Sequence, residues 1–142
     1  MLLGSEGARR LAAAADHGIL GTIGVDGRPD LVPACFAIDG DLVGIPIDQV
    51  KPKASTRLQR ERNLERDPRA TFLVERWDAD DWAQLWWVRL ALERSTEDAA
   101  TTDRLEELLR SRYLQYADVP FVTILTFRIT AVSGWSAGPR TP

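Results

Sequence analysis

GILGTIGVDGRPDLVPACFAIDGDLVGIPI, residues 18 to 47, decides the fold of this chain. Two Asp-Gly pairs, Asp26-Gly27 and Asp39-Gly40, separate three runs rich in Ile, Leu and Val: Gly18–Val25, Leu31–Ile38 and Asp41–Ile47. Asp-Gly between such runs marks a tight hairpin, because glycine accepts positive φ and aspartate tolerates it. Strands joined this way run antiparallel. Pro33 and Pro46 cannot donate to a ladder, so both are expected at edges, bulges or strand ends. The same stretch excludes a βαβ nucleotide fold. Gly21-Thr22-Ile23-Gly24 lacks the third glycine, and a hairpin turn follows where a helix would have to begin.

Outward from this meander, Glu6–Asp16 is alanine-rich and reads as a helix ended by Gly18. A second helix is expected from about Ala54 to Arg66, stopped before Pro68. Ala70–Trp77 and Gln84–Glu93 read as strands around an acidic turn, Asp78–Asp81, which has the character of a solvated turn rather than a metal site. Thr101–Tyr113 is the clearest helix, with Leu105, Leu108, Leu109, Arg112 and Tyr113 on one face. Phe121–Trp135 closes the chain as one strand or two, and a loose tail follows Gly138. The chain therefore reads as one α+β, mainly β domain over residues 1–142, with an N-terminal helix within 1–17. A six-stranded antiparallel barrel with peripheral helices is expected; an open sheet covered by helices on one face is the competitor.

Composition narrows the chemistry. His17 is the only histidine and Cys35 the only cysteine, so His and Cys cannot assemble a zinc site or an internal disulfide. His17 fits the last turn of a helix, favourable against the dipole, and Cys35 reads as a small buried hydrophobe. No apolar run approaches the roughly 20 residues of a membrane span, and the N-terminus lacks a secretory pattern, so the cytoplasm is expected. Any catalysis then falls to an organic cofactor.

Charge says what kind. Lys51, Lys53, Arg57, Arg60, Arg62, Arg66 and Arg69 stand against Glu61, Glu65 and Asp67, a local charge of +4 in a chain whose formal net charge is −3. Cations gathered in an anionic protein point either to an anionic ligand or to a solvated helix face with i,i+4 pairs. Lys51-Pro52-Lys53 falls where a strand gives way to a helix, and a helix N-terminus favours phosphate. The acidic whole argues against nucleic acid, whose affinity comes chiefly from phosphate neutralisation. A second constellation is aromatic: Trp77, Trp82, Trp86 and Trp87. In a strand Trp86 and Trp87 must face opposite ways, so one of them is a candidate for stacking on a flat ligand or for sealing a dimer.

Together, Val25-Asp26-Gly27-Arg28-Pro29, Lys51-Pro52-Lys53, Arg62-Asn63-Leu64-Glu65-Arg66-Asp67-Pro68-Arg69 and Leu85-Trp86-Trp87-Val88-Arg89 resemble the pyridoxamine phosphate oxidase-like split β-barrel proteins. The likeness runs from about Gly18 to Trp135 and is greatest to the actinobacterial branch that uses the deazaflavin coenzyme F-420 in place of FMN. It implies a homodimer with two cofactor sites at the seam and hydride transfer to a small organic substrate, with FMN oxidoreduction or cofactor binding without turnover as alternatives. It places phosphate on Lys51 and Lys53, with Arg57 and Arg60 as helpers, and the ring along Pro33, Ala34, Cys35 and Phe36. Asn63, Trp86, Trp87 and Arg89 complete the implied set; Asn63 could instead bond locally, and Arg89 could instead pair with an acidic residue. Trp135 is expected to pack, near the site. The chain departs from relatives in three ways. Tryptophans stand where the FMN branch has polar ring contacts, Leu90-Ala91-Leu92-Glu93 follows Arg89 where a glycine is usual, and the gap from Lys53 to Asp67-Pro68 is long. The last leaves Arg60 or Arg62 as an alternative phosphate ligand.

Overall fold

Both Asp-Gly turns form, and Gly27 (φ 81°) and Gly40 (φ 60°) are the positive-φ residues of the described chain. The computed structural model describes residues 1–48 and 58–139. In chain order these form α1 (Ser5–Ala14), β1 (Gly18–Ile23), β2 (Pro29–Ala34), β3 (Ala37–Asp39), β4 (Leu42–Asp48), α2 (Gln59–Arg66), β5 (Arg69–Arg76), β6 (Trp86–Ser95), α3 (Ala99–Arg112) and β7 (Phe121–Ser136). Short 3-10 turns occupy Trp82–Gln84 and Leu114–Tyr116. The described residues therefore hold seven strands where six were expected, because the run Leu31–Ile38 breaks at Cys35–Phe36 into β2 and β3. The second helix, expected from Ala54, is described only from Gln59.

All seven strands lie in one antiparallel sheet in the order β2-β1-β5-β6-β7-β4-β3. Its two end strands, β2 and β3, are consecutive in the chain and separated by two residues. A three-bond step from Ala34 to Ala37 spans at most about 11 Å, so the sheet must curl until its ends approach. They approach without pairing. The result is a barrel with a split between β2 and β3, rather than the open sheet weighed against it. Pro33 sits in end strand β2, and Pro46 lies on β4 beyond the reach of three-residue β3, so neither interrupts a ladder.

Strand parity fills the barrel. Leu20, Phe72, Val74, Val88, Leu90 and Phe127 point inward and are fully buried. Gly18 is required here: a Cβ would stand 2.4 Å from the Phe72 ring and 2.8 Å from the Leu73 carbonyl. Helix α1 seats Ala8 and Ala12 on the core, and α3 buries Leu109 in a second cluster with Ala37 and Ile124. No helix among the described residues is long and apolar enough to cross a membrane.

Candidate functional site

The alternate residues of β2, β1, β5, β6 and β7 face out in rows. Pro33, Ile19, Leu73, Arg89 and Ser133 are in register across the five strands, and Leu31, Gly21, Thr71, Ala91 and Ala131 form the next row. The second row is small except for Leu31, so a hollow of about 410 Å³ opens between Leu31, Arg69 and Thr130. Leu31 is 67% exposed and Leu73 37%. This is an apolar outer face with no cover in a single copy of the chain.

Parity also separates the paired tryptophans. Trp86 is 8% exposed and belongs to the core, while Trp87 faces out opposite Trp135. The Arg89 guanidinium lies over the Trp87 indole at 5.2 Å, a cation–π contact, and Arg89 forms no ion pair with an acidic residue among the described residues. Trp135 is half-buried and bridged to Leu2. Trp77 and Trp82 are exposed and face each other at 6.1 Å on the β5–β6 turn, where Asp78 and Asp81 cap backbone N–H groups. Among the described residues no group of His, Cys, Asp or Glu has the arrangement of a metal site.

At the other end of the strands lies α2. Asn63, expected at the cofactor, is instead fully buried, and every hydrogen-bonding position of its amide is used. Its Nδ2 donates to Thr22 Oγ1 (3.0 Å) and Asp30 Oδ2 (2.7 Å), while its Oδ1 accepts from Gln59 Nε2 (2.9 Å) and Arg66 Nη2 (2.8 Å). Asn63 therefore fastens α2 to β1 and β2. The start of α2 is also taken: the Glu61 carboxylate accepts from the Leu58 N–H at 3.1 Å, where a phosphate would compete for the same donor. Arg60 is half-buried and Arg62 exposed. Lys51, Lys53 and Arg57 lie outside the described residues. Arg94, which sequence reasoning passed over, is half-buried beneath α2 and held by the Ser95 and Thr126 carbonyls; burial lowers its pKa against the nearby Glu61 charge.

Around the split, Pro33 is exposed, Ala34 and Cys35 are half-buried, and Phe36 is wholly buried. A ring along this segment would therefore meet Phe36 by neither its side chain nor its peptide. Tyr113 Oη accepts the Phe36 N–H at 3.2 Å, and Arg112 Nη1 donates to the Phe36 carbonyl at 3.1 Å. Burial pushes the Tyr113 phenol up, so it stays neutral. These two residues were placed only on a helix face by the sequence. The available signal was Arg112 itself, a cation on an apolar stripe that must find acceptors when buried. His17 lies beyond the end of α1, exposed, with its Nδ1 2.6 Å from Asp16 Oδ1; this contact is the main cause of the lowered Asp16 pKa.

Within one copy the candidate residues divide into two groups. Trp87 and Arg89 sit at one end of β6; Arg94, α2 and its cations sit at the other, where Glu61, Leu64, Glu65 and Arg94 line a second hollow of about 240 Å³. Six residues of strand from Trp87 to Glu93 amount to about 20 Å.

No family model matches the chain. Solved structures do. A conserved hypothetical protein from Mycobacterium tuberculosis superposes with a TM-score of 0.70 at 20% identity, covering 99% of this chain and 91% of that one. An FMN-binding protein from Syntrophomonas wolfei gives 0.68 at 20% identity over 93% and 86%. A protein described as an F420 reductase gives 0.59 at 22% identity over 87% and 94%. Haem-binding proteins share the architecture as well. The chain thus has the split-barrel fold found in flavin-, deazaflavin- and haem-binding proteins. At these identities the likeness defines the fold, and function has to be argued from the site.

Proposed function

We propose that this chain is a cytoplasmic, homodimeric oxidoreductase that uses the deazaflavin coenzyme F-420, with FMN as the alternative cofactor, to reduce a small organic substrate. The observation that carries the reading is the open edge of β2 beside the split. Prolines cannot donate to a ladder, so Pro29 and Pro33 occupy positions whose backbone groups face away from β1, and Leu31 shares their parity. The free edge then offers carbonyls at Pro29, Leu31 and Pro33 and one N–H, at Leu31. The pyrimidinedione edge of a flavin or deazaflavin presents one N–H between two carbonyls and can meet that row in an offset pair of hydrogen bonds, one ring carbonyl accepting from the Leu31 N–H and the ring N–H donating to a neighbouring strand carbonyl.

Such a cofactor supplies the hydride when bound, so the protein has to orient a ring, grip a phosphate and exclude water. The β2 edge and half-buried Cys35 would orient the ring; Arg60, with Lys51, Lys53 and Arg57, would hold the phosphate. Haem suits the chain less well, since its one histidine is on the surface and already paired with Asp16. A two-fold partner packed on the outer face would bury Leu31 and Leu73 and carry its Trp87–Arg89 end toward the α2 end of the first copy. The roughly 20 Å between the two groups of candidate residues is the reason for placing the site at a seam.

Fluorescence titration of the deazaflavin, FMN, FAD and haem into wild type, Lys53→Ala and Arg60→Ala tests this, with sedimentation to fix the oligomeric state. The deazaflavin should bind best. Each charge-assisted phosphate contact is worth about 1.5–3 kcal/mol, so each substitution should weaken binding by roughly one to two powers of ten. Equal affinities across the three proteins refute the phosphate grip, a monomer refutes the shared site, and selective FMN binding transfers the reading to the alternative cofactor.

A further inference from the structure

We infer that Arg112 and Tyr113, at the C-terminal end of α3, are positioning residues for the cofactor ring: they hold the chain corner at the barrel split on which the ring would lie. The inference rests on the proposed ring site along the β2 edge and Cys35.

The argument begins from an obligation of the backbone. Cys35 and Phe36 belong to no strand, so the Phe36 peptide has no ladder partner, yet Phe36 is fully buried. A buried N–H or C=O without a partner is costly and has to be met from elsewhere. Both groups are met by side chains more than seventy residues away: Tyr113 Oη takes the N–H at 3.2 Å and Arg112 Nη1 takes the carbonyl at 3.1 Å. The same two side chains reach past the corner to the end of α1. The Tyr113 hydroxyl has one proton and gives it to the Asp16 carbonyl at 2.8 Å, its closest acceptor, and Arg112 Nη2 donates to the Ala15 carbonyl. The carbonyl of Ala15, the C-cap of α1, and that of Asp16 just beyond it thus receive donors from the end of α3.

Three segments thus meet at two side chains: the end of α1, the β2–β3 corner and the end of α3. The rings reinforce the joint. Arg112 lies 4.9 Å above Phe36 and 5.4 Å from Tyr113, and Phe36 packs on Phe72 at 4.8 Å. With Phe36 pinned on its amide, carbonyl and ring, Ala34 and Cys35 have little freedom. They are the half-buried residues next to the free β2 edge, so the wall offered to a flat ring is set from α3. Arg60, the described residue among the cations proposed for the phosphate, lies on α2, which is fastened to Thr22 and Asp30 rather than to this corner. Ring placement and phosphate binding are therefore separable.

The test uses the full-length dimer and two probes: the phosphate-free deazaflavin riboside chromophore, titrated by fluorescence, and inorganic phosphate, as a competitor of the intact cofactor. Loss of one hydrogen bond should weaken chromophore binding in Tyr113→Phe by about two- to tenfold. The absorption maximum of the bound chromophore should move toward its free value, with the phosphate competition constant unchanged. Arg112→Lys, with a single ammonium for carbonyls on two segments, should behave alike. Hydrogen exchange at the Phe36 amide of the cofactor-free protein should quicken in Tyr113→Phe, a readout that does not need the ligand. Unchanged chromophore affinity and spectrum in Tyr113→Phe, with normal binding by wild type, overturns this inference alone. A parallel fall in chromophore and phosphate binding makes the role merely structural and also overturns it. Failure of wild type to bind either probe overturns it together with the proposed cofactor site.

Discussion

Replacing Asn63 with leucine, a side chain of similar size, separates a fastening role from a ligand role. The substitution removes four hydrogen bonds and leaves no large cavity. Two of them, to Thr22 and Gln59, join neutral groups; the other two engage Asp30 and Arg66. Gln59, Asp30 and Arg66 are exposed and recover water when released, so their losses lie at the low end of the usual range. Thr22 is 2% exposed and is left facing leucine without a partner. At roughly 0.5–1 kcal/mol for each of three exposed partners and 1–2 kcal/mol for the stranded hydroxyl, the total is about 2.5–5 kcal/mol. For a domain of this size that is on the order of 10 °C in Tm. Urea or thermal unfolding gives the loss, and deazaflavin titration well below both midpoints gives the affinity, which should match wild type within about twofold, under 0.5 kcal/mol. Asn63→Asp is the sharper companion. It keeps the acceptor for Gln59 and Arg66 but sets a carboxylate against Asp30, so it should be less stable than Asn63→Leu near neutrality and recover in acid. Unchanged stability together with lost cofactor affinity would refute the reasoning and return Asn63 to the ligand.

Two further outcomes follow from the same geometry. Gly18→Ala drives a Cβ to 2.4 Å from a core ring and 2.8 Å from a carbonyl, whereas at Gly21 the nearest atom is a methyl of exposed Leu31 at 3.1 Å. Chemical denaturation should therefore show a loss of about 3 kcal/mol or more at position 18 and under about 1 at position 21; similar losses would contradict the packing described. The side-chain hydrogen bond from Arg69, chiefly, holds the Asp67 carboxyl down at about 2 from an ordinary 3.8. A depressed folded-state pKa contributes stability above the ordinary value, and that contribution is lost as pH falls toward 2. Arg69→Ala should bring the Asp67 titration seen by NMR back toward 3.8, and a titration that stays near 2 would mean that the arginine is not the cause.

How far the sequence reveals this molecule depends on whether a feature has a local cause. The two hairpins were legible because Asp26-Gly27 and Asp39-Gly40 accept a backbone conformation that few other pairs do. The opposed tryptophans were legible because side chains alternate along any strand. The break at Cys35–Phe36 was not, since neither glycine nor proline marks it and the apolar run continues through Phe36 and Ala37. Its cause is Arg112 and Tyr113, far along the chain. Asn63 was legible as a signature with two roles open, a local bond or a ligand contact, and the hydrogen bonds to Thr22, Asp30, Gln59 and Arg66 favour the local one; sequence alone cannot tell a bond to Asp30 from a bond to a ligand. Phosphate at Lys51-Pro52-Lys53 was inferred from helix electrostatics and falls on residues outside the described ones; within the described residues, Glu61 accepts from the Leu58 N–H at the start of α2.

The split itself is the reason for proposing a ligand there. A curled sheet whose ends do not pair leaves two rows of backbone groups exposed, a hazard that folded proteins suppress. Along the β3 side the suppression is nearly complete: β3 is three residues long, and beyond it Pro46 removes a donor from β4. Along the β2 side, Pro29 and Pro33 remove two donors and leave one N–H among three carbonyls. Against pairing with another strand this edge is blunted, because a ladder needs donors at regular intervals. Against a small flat molecule it keeps one use, because the Leu31 N–H and an adjoining carbonyl can pair with a neighbouring acceptor and donor on the molecule's edge. The residues that blunt this edge against strand pairing thus leave it one adjoining donor and acceptor, the feature on which the proposed ring site rests, and the corner held by Arg112 and Tyr113 adjoins that edge.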